Sequence, residues 1–193
     1  DLTRSRGLGD VYKRQDSRAR YFQIRGIGER SGYQGTPNSS VGFLIDDIDY
    51  SGQGGIATLF DVDQVEVFRG PQGSRTGANA LAGLIYIKTK DPTDKFEGTS
   101  ELTLGDYGTQ NIGVAFGGPL KNEKMKYRLV VRTDYADGFR KNIYLNKSDT
   151  SKKDELTLRY KLYWEIDETT NINFLVSKVD MDDPADIWTI DGS

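Results

Sequence analysis

Val65–Lys90 reads VEVFRGPQGSRTGANALAGLIYIKTK. Two short apolar strands, Val65–Phe68 and Leu84–Ile87, bracket a middle made of Gly and other small residues. Arg69-Gly70-Pro71 punctuates the end of the first strand, and Lys88 and Lys90 close the second. A Gly-rich middle lets backbone pass close to backbone, and the β-branched flanks place it in a sheet. The middle serves either as a ligand cradle or as close packing. Gly70-Pro71-Gln72-Gly73 lacks the Gly-Lys-Ser/Thr ending of a phosphate-binding loop. A turn is the simpler reading, with Pro71 fixing φ and Gly73 supplying a positive φ.

The chain around it has 193 residues, a formal net charge of −3, no Cys and no His. That length permits one or two domains with a sizeable core. Hydrophobic residues make up only 36%, against 11 Tyr and 22 Gly, which favours sheet and turn over helix bundles. Lack of Cys removes disulfides, thiolate metal sites and Cys nucleophiles. Lack of His removes the Ser-His-Asp arrangement and imidazole ligation. Neither a cofactor nor a metal is implied, and no strong basic balance points to nucleic acid. No apolar run approaches the ~20 residues of a membrane helix, whereas membrane β-strands alternate and barely register on hydropathy. Ser5–Gln15, SRGLGDVYKRQ, reads like translated transposase-adapter sequence, so residues 1–15 are set aside as a non-native leader and the natural start is expected to be missing.

Upstream, Tyr21–Arg25 reads as a strand that stops at Gly26, and Glu29–Ser40 as a polar loop. Val41–Ile45 is a buried strand bounded by turn signals, and Asp46-Asp47 turns the chain into Ile48-Asp49-Tyr50. A second Gly-rich loop covers Ser51–Gly55. Ile56–Asp63 is read as one or two helical turns with Ile56, Leu59, Phe60 and Val62 as the apolar residues. A carboxylate pair at Asp46 and Asp49 would be the enzymatic reading, but no acid/base partner with its own motif supports it.

Downstream, Asp91-Pro92-Thr93-Asp94 breaks the pattern and marks a domain boundary, with residues 16–93 before it and 94–193 after it. Apolar residues then alternate with polar or small ones at Leu102–Leu104, Ile112–Phe116, Tyr127–Val131, Leu156–Trp164 and Ile172–Val176. A period of two, repeated along the chain, is an antiparallel meander. The links near Lys121–Lys124 and Asp167–Thr170 are short, while Ala136–Lys153 is long and polar, as in an outer-membrane barrel. The short Gly105–Gly108 link departs from that pattern. Trp164, Tyr135 and Phe139 fall near strand ends, where interfacial aromatics sit. Arg128, Arg132, Arg159 and Lys161 line the polar face and suit a hydrated lumen, so Leu102, Leu156, Leu158 and Leu162 are expected to face lipid. The rival is a soluble β-rich carbohydrate-binding module with Tyr163 and Trp164 as its stacking platform. Asp180–Asp186, DMDDPAD, lacks EF-hand spacing and is read as the start of a loop, with a weak calcium site as its alternative.

Four segments in order then carry a resemblance: QIRGIG at Gln23–Gly28, FLIDDID at Phe43–Asp49, VEVFRGPQG at Val65–Gly73 and GANALAGLIYIKTK at Gly77–Lys90. Together they resemble the plug domain of TonB-dependent outer-membrane receptors, and the meander after Phe96 resembles the first strands of that family's barrel. The resemblance implies an α+β plug, a small mixed sheet with short helices, followed by about five strands of a 22-stranded transmembrane β-barrel. It implies an importer, not an enzyme, in the outer membrane of a Gram-negative bacterium. Its cargo would be a ferric siderophore first, otherwise cobalamin or a saccharide. Its partners would be the TonB energy-transducing complex of the inner membrane, acting through a segment missing here, and outer-membrane lipid. Outward plug loops would offer Arg30, Tyr33, Gln34, Asn38, Tyr50 and Gln53 to the cargo. Arg25, Glu66, Arg69 and Arg75 would contact the barrel wall, Arg75 where the family has an apolar residue. The family's usual Asp-Gly turn is Asp46-Asp47 here, which speaks against a close-packed left-handed turn.

Overall fold

A computed structural model describes residues 22–28, 39–53, 56–76, 79–120, 124–142, 146–150 and 152–182, with backbone alone for 75–76, 140–142 and 147–150. The chain divides into two compact units, Asp1–Thr89 and Lys90–Ser193.

The first unit is built on a mixed four-stranded sheet of order β2-β1-β4-β3, from β1 (Val41–Ile45), β2 (Ile48–Asp49), β3 (Val62–Arg69) and β4 (Gly83–Thr89). β1 runs parallel to β4, from Val41 opposite Gly83 to Ile45 opposite Ile87, and β3 runs antiparallel to β4. β1 and β4 are central and apolar on both faces, so each face gathers its own cluster. Ile24, Val41, Phe43, Ala82, Ile85 and Ile87 bury on one side. Leu44, Ala80, Leu84 and Tyr86 bury on the other. Burying one large aliphatic or aromatic side chain contributes about 1.5–3 kcal/mol, so these clusters dominate the unit's stability. Phe22 stacks on Phe43 at 5.2 Å and closes the first cluster.

Local structure departs from the sequence reading in four places. The Asp46-Asp47 turn is left-handed at both residues (φ 49° and 67°), as a two-residue hairpin turn requires, because aspartate tolerates that region. Ile24 makes only an isolated bridge to Ile27 in place of a strand, since Arg25 and Gly26 (φ 54° and 79°) fold the chain back on itself. The expected helical turns at Ile56–Asp63 do not form. Thr58 Oγ1 accepts the Phe60 amide at 3.3 Å, Asp61 is left-handed (φ 59°), and Val62 already begins β3. Finally, Gly70 rather than Gly73 takes the positive φ (87°), and Gly73 opens the short helix α1 (Gly73–Thr76).

The second unit is a five-stranded antiparallel sheet of order β11-β10-β7-β6-β5. Its strands are β5 (Glu97–Leu104), β6 (Gln110–Pro119), β7 (Met125–Ala136), β10 (Lys153–Glu165) and β11 (Asn171–Met181). They hold 8, 10, 12, 13 and 11 residues, around the ~9–11 that a tilted membrane strand uses. At one end of the sheet the links after β6 and β10 are short. At the other, β5 turns tightly into β6 through left-handed Tyr107 and Gly108, while β7 and β10 are joined across a small hairpin, β8 (Arg140–Asn142) and β9 (Lys147–Thr150).

Gly83 shows how tightly the first unit closes. Its φ is 155°, and a Cβ there would meet the Phe68 carbonyl oxygen and Ile24 Cδ1. We expect Gly83→Ala to destabilise the unit by at least about 2 kcal/mol. Gly73→Ala, whose Cβ would meet open space, should stay within about 0.5 kcal/mol. Thermal unfolding of the two variants side by side checks the difference.

Candidate functional site

Strand alternation gives the five-stranded sheet two chemically opposite faces. Ile112, Val114 and Phe116 of β6 share a face with Leu129 and Val131 of β7, Leu158 and Leu162 of β10, and Phe174 and Val176 of β11. Leu102 stands opposite Ile112 on the same face. This face is the open one: Leu102 is 65% exposed and Phe174 50%, and Leu158 and Leu162 are only half-buried. The opposite face is polar and buried, with Arg128 at 2%, Asp134 and Glu155 at 3%, Arg159 at 6% and Lys161 at 9% exposure. A soluble sheet buries its apolar face and wets its polar one. Here the assignment is reversed.

Buried charge requires counter-charge. Register supplies it through a lane of small residues. Glu97 stands opposite Gly117, and Gly117 opposite Arg128; likewise Glu101, Gly113 and Arg132 share one rung. With neighbouring strands about 4.8 Å apart, β5 and β7 are about 10 Å apart, and only a small residue on β6 leaves that path clear. Glu97 Oε1 meets Arg128 Nη1 at 3.0 Å, and Glu101 Oε1 meets Arg132 Nη1 at 2.8 Å, both across β6. Arg132 also donates two bonds to Asp134, from Nε at 2.8 Å and Nη2 at 2.9 Å. Lys153 lies 3.9 Å from Asp134 and 3.6 Å from Glu155. Sequence reasoning missed these rungs. The signal was present as Gly113-x-Ala115-x-Gly117 lying between Glu-bearing and Arg-bearing strands.

The first unit carries a smaller polar cluster beside the β1–β2 hairpin. Asn79 Nδ2 donates to Asp49 Oδ2 at 2.9 Å, and Asn79 Oδ1 accepts the Ser39 amide at 3.1 Å. The Ser51 amide donates to Asp49 Oδ1 at 2.8 Å, and Ser51 Oγ accepts the Phe43 amide at 3.0 Å. Desolvation pushes the Asp49 carboxyl up, but donation from Ser51 and Asn79 outweighs it and holds the pKa below its ordinary value. The cluster ties three loop segments together at one end of the sheet.

The expected site residues are dispersed. Tyr50 packs partly buried against the first apolar cluster, while Gln53 is exposed. Arg30, Tyr33, Gln34 and Asn38 lie outside the described residues. Arg25 is exposed in its turn, and Arg69 is exposed at the end of β3. Glu66 is half-buried and accepts Gln64 Nε2 at 2.6 Å. The backbone of Arg75 lies in α1. Asp46 and Asp49 hold different partners, Thr89 for the first and Ser51 with Asn79 for the second. Tyr163 and Trp164 are consecutive in β10 and point to opposite faces, so they make no common stacking platform. Lys126 Nζ sits 5.3 Å above the Tyr163 ring. Among the described residues no group of three or more acidic side chains is arranged to hold a metal, and Asp183–Asp186 lie outside them.

Residues 5–84 match the family model described as the TonB-dependent receptor plug domain. The match begins inside the adapter-like Ser5–Gln15. Over 120 residues, 62% of the chain, it is 28% identical to the vitamin B12 transporter BtuB of Vibrio vulnificus. Over 88 residues, 46% of the chain, it is 31% identical to the ferripyoverdine receptor of Pseudomonas aeruginosa. The solved structure of the ferric yersiniabactin uptake receptor FyuA from Yersinia pestis superposes on 81% of the chain with a TM-score of 0.72 at 23% identity, a likeness of fold. The chain spans 19%, 10% and 24% of those three proteins.

A group whose folded pKa is lowered contributes stability above its unfolded pKa and loses it as pH falls through the folded value. The Asp49 cluster should therefore weaken below its ordinary value of 3.8. Asp49→Asn should lower stability at neutral pH only slightly, because the exposed carboxylate is screened by water, and should flatten the acid limb. Thermal midpoints measured across that range for the two proteins check the sign.

Proposed function

We propose that the chain is part of a TonB-dependent receptor, a plug domain followed by antiparallel strands of the barrel, and that the protein it represents imports a scarce nutrient across the outer membrane of a Gram-negative cell. The observation that carries the reading is the reversed sheet. An apolar face left open beside a buried, ion-paired face suits a wall with lipid on one side and a hydrated interior on the other.

The cargo we propose is a ferric siderophore, since the Pseudomonas and Yersinia relatives are named for ferripyoverdine and ferric yersiniabactin. Cobalamin is the second choice, on the name of the Vibrio relative. Arg30, Tyr33, Gln34, Asn38 and Gln53 remain the proposed cargo contacts, and Tyr50 supports them from the packed side of its loop. Arg25, Glu66, Arg69 and Arg75 remain proposed contacts to the wall. Energy would come from the inner-membrane TonB complex, and the protein works by gated release, without catalysis. Relatives named as transporters and receptors favour that division.

Two measurements test the reading. Leu158→Arg on the open face should lower membrane insertion by about 2–4 kcal/mol, whereas Asn173→Arg, at an exposed position of the polar face opposite Tyr163, should leave outer-membrane yield within about twofold. Equal loss from both would sink the membrane assignment. Deleting the full-length gene should abolish growth on one ferric siderophore as sole iron source. Unchanged growth on every iron, cobalamin and glycan source, with no redundant receptor present, would sink the transport assignment.

A further inference from the structure

Resting on that receptor reading, we propose that the segment joining the two units is an ionic anchor: carboxylates clamp it on both sides of Lys90, so a pull arriving from the N-terminal side stops at β4. On the first side, Asp46 holds the end of β4. The Thr89 amide donates to Asp46 Oδ1 at 2.9 Å and Thr89 Oγ1 donates to Oδ2 at 2.6 Å, while the Asp46 amide donates to the Ile87 carbonyl at 3.0 Å. Thr89 is 1% exposed, so these bonds are shielded from water. Glycine would supply the left-handed φ of this turn as readily, but it has no carboxylate to offer.

On the second side, Asp91, Asp94 and Glu97 each meet a cation of the sheet. Asp91 Oδ1 lies 3.0 Å from Lys161 Nζ on β10, Asp94 pairs with Lys126 on β7, and Glu97 Oε1 lies 3.0 Å from Arg128 Nη1 on β7. Register places Lys161 directly opposite Arg128. Two buried cations facing each other across a rung repel, and the joining segment brings counter-charge to that point. Its path is thereby fixed by the sheet's electrostatics.

Topology turns the anchor into a stop. β1 and β4 are parallel neighbours paired from Val41–Gly83 to Ile45–Ile87. A pull that enters at the N-terminal end of β1 and is resisted at the C-terminal end of β4 acts on opposite ends of this pair. Every hydrogen-bonded rung then shares the load in shear, and none opens singly. The anchor makes that geometry effective, because a loose β4 would follow β1 out. The pieces of plug that yield first are therefore those preceding β1.

The full-length receptor in outer-membrane vesicles, pulled by its N-terminus at constant force, tests this. Wild type should show a separate late step for the β1–β4 pair. Asp46→Ala should speed that step at least about fivefold. Asp91→Asn and Lys161→Met should add slack before it, about 3.5 Å per freed residue, and the exchange Asp91→Lys with Lys161→Asp should remove the slack again. Identical traces for wild type and folded variants, or extraction of β4 together with β1 in wild type, would overturn the anchor. Should the variants not fold, hydrogen exchange in wild type decides: the Thr89 amide should be protected at least about 100-fold, and exchange at the unfolded rate overturns the anchor. Loss of cargo uptake with this force pattern intact would count against the receptor reading alone.

Discussion

The five-stranded sheet depends on a single constraint, that charges buried on one of its faces must find their partners within its own register. Glu97 and Glu101 reach Arg128 and Arg132 only because β6 places Gly117 and Gly113 between them. A larger side chain at either glycine would fill the lane and separate carboxylate from guanidinium. The apolar face has no such requirement, since Leu, Val and Phe need no directed partner. One face is therefore specified by pairwise electrostatics and the other by polarity alone, which explains why the polar face has the more exact pattern. Registry supplies specificity here, in the sense that a one-residue slip of a strand would turn its charges to the apolar face and break its ion pairs.

The first unit obeys a different logic. Its two central strands are apolar on both faces, and its polar groups are pushed to the ends of the sheet. There they tie loops to strands: Asp49 through Ser51 and Asn79 at one place, Asp46 through Thr89 at another. Close approach is settled by Gly83, where the Phe68 carbonyl and Ile24 occupy the space a side chain would need. Among the described residues of the Gly-rich stretch, Ala80, Ala82 and Gly83 thus act in packing. Nothing in its geometry among the described residues resembles a cradle.

Much of this could be read from the residues beforehand. Period-two alternation located all five strands of the meander and the polarity of both faces, because each strand keeps most of its large apolar residues on one face, with exceptions such as Val130 and Leu175 on the other. Short motifs located β1, β3 and β4 for the same reason. Local backbone was harder. Ile56–Asp63 has helical spacing of apolar residues, yet Thr58 and left-handed Asp61 divert it, and such side-chain-to-backbone competition leaves no periodic trace. Asp46-Asp47 looked unsuited to a left-handed turn, but the hydrogen bonds from Thr89 and to Ile87 favour that conformation, and these partners lie far along the chain. The Glu-Gly-Arg rungs were hidden for the same reason. Each strand shows its own alternation, but only register says which residue faces which.

Why the joining segment should use carboxylates rather than apolar anchors follows from the face it meets. On a polar face an aliphatic side chain would find Lys161, Lys126 and Arg128 and would desolvate them without compensation. Carboxylates at Asp91, Asp94 and Glu97 satisfy those cations and leave the segment's backbone at the surface. Asp91, Asp94 and Glu97 are themselves half or more exposed, so each pair alone contributes little. Their strength is collective: the segment is short, so ordering one pair holds its neighbours near their cations and lowers the entropy lost by the next. Such an arrangement is stiff while all pairs stand and gives way together.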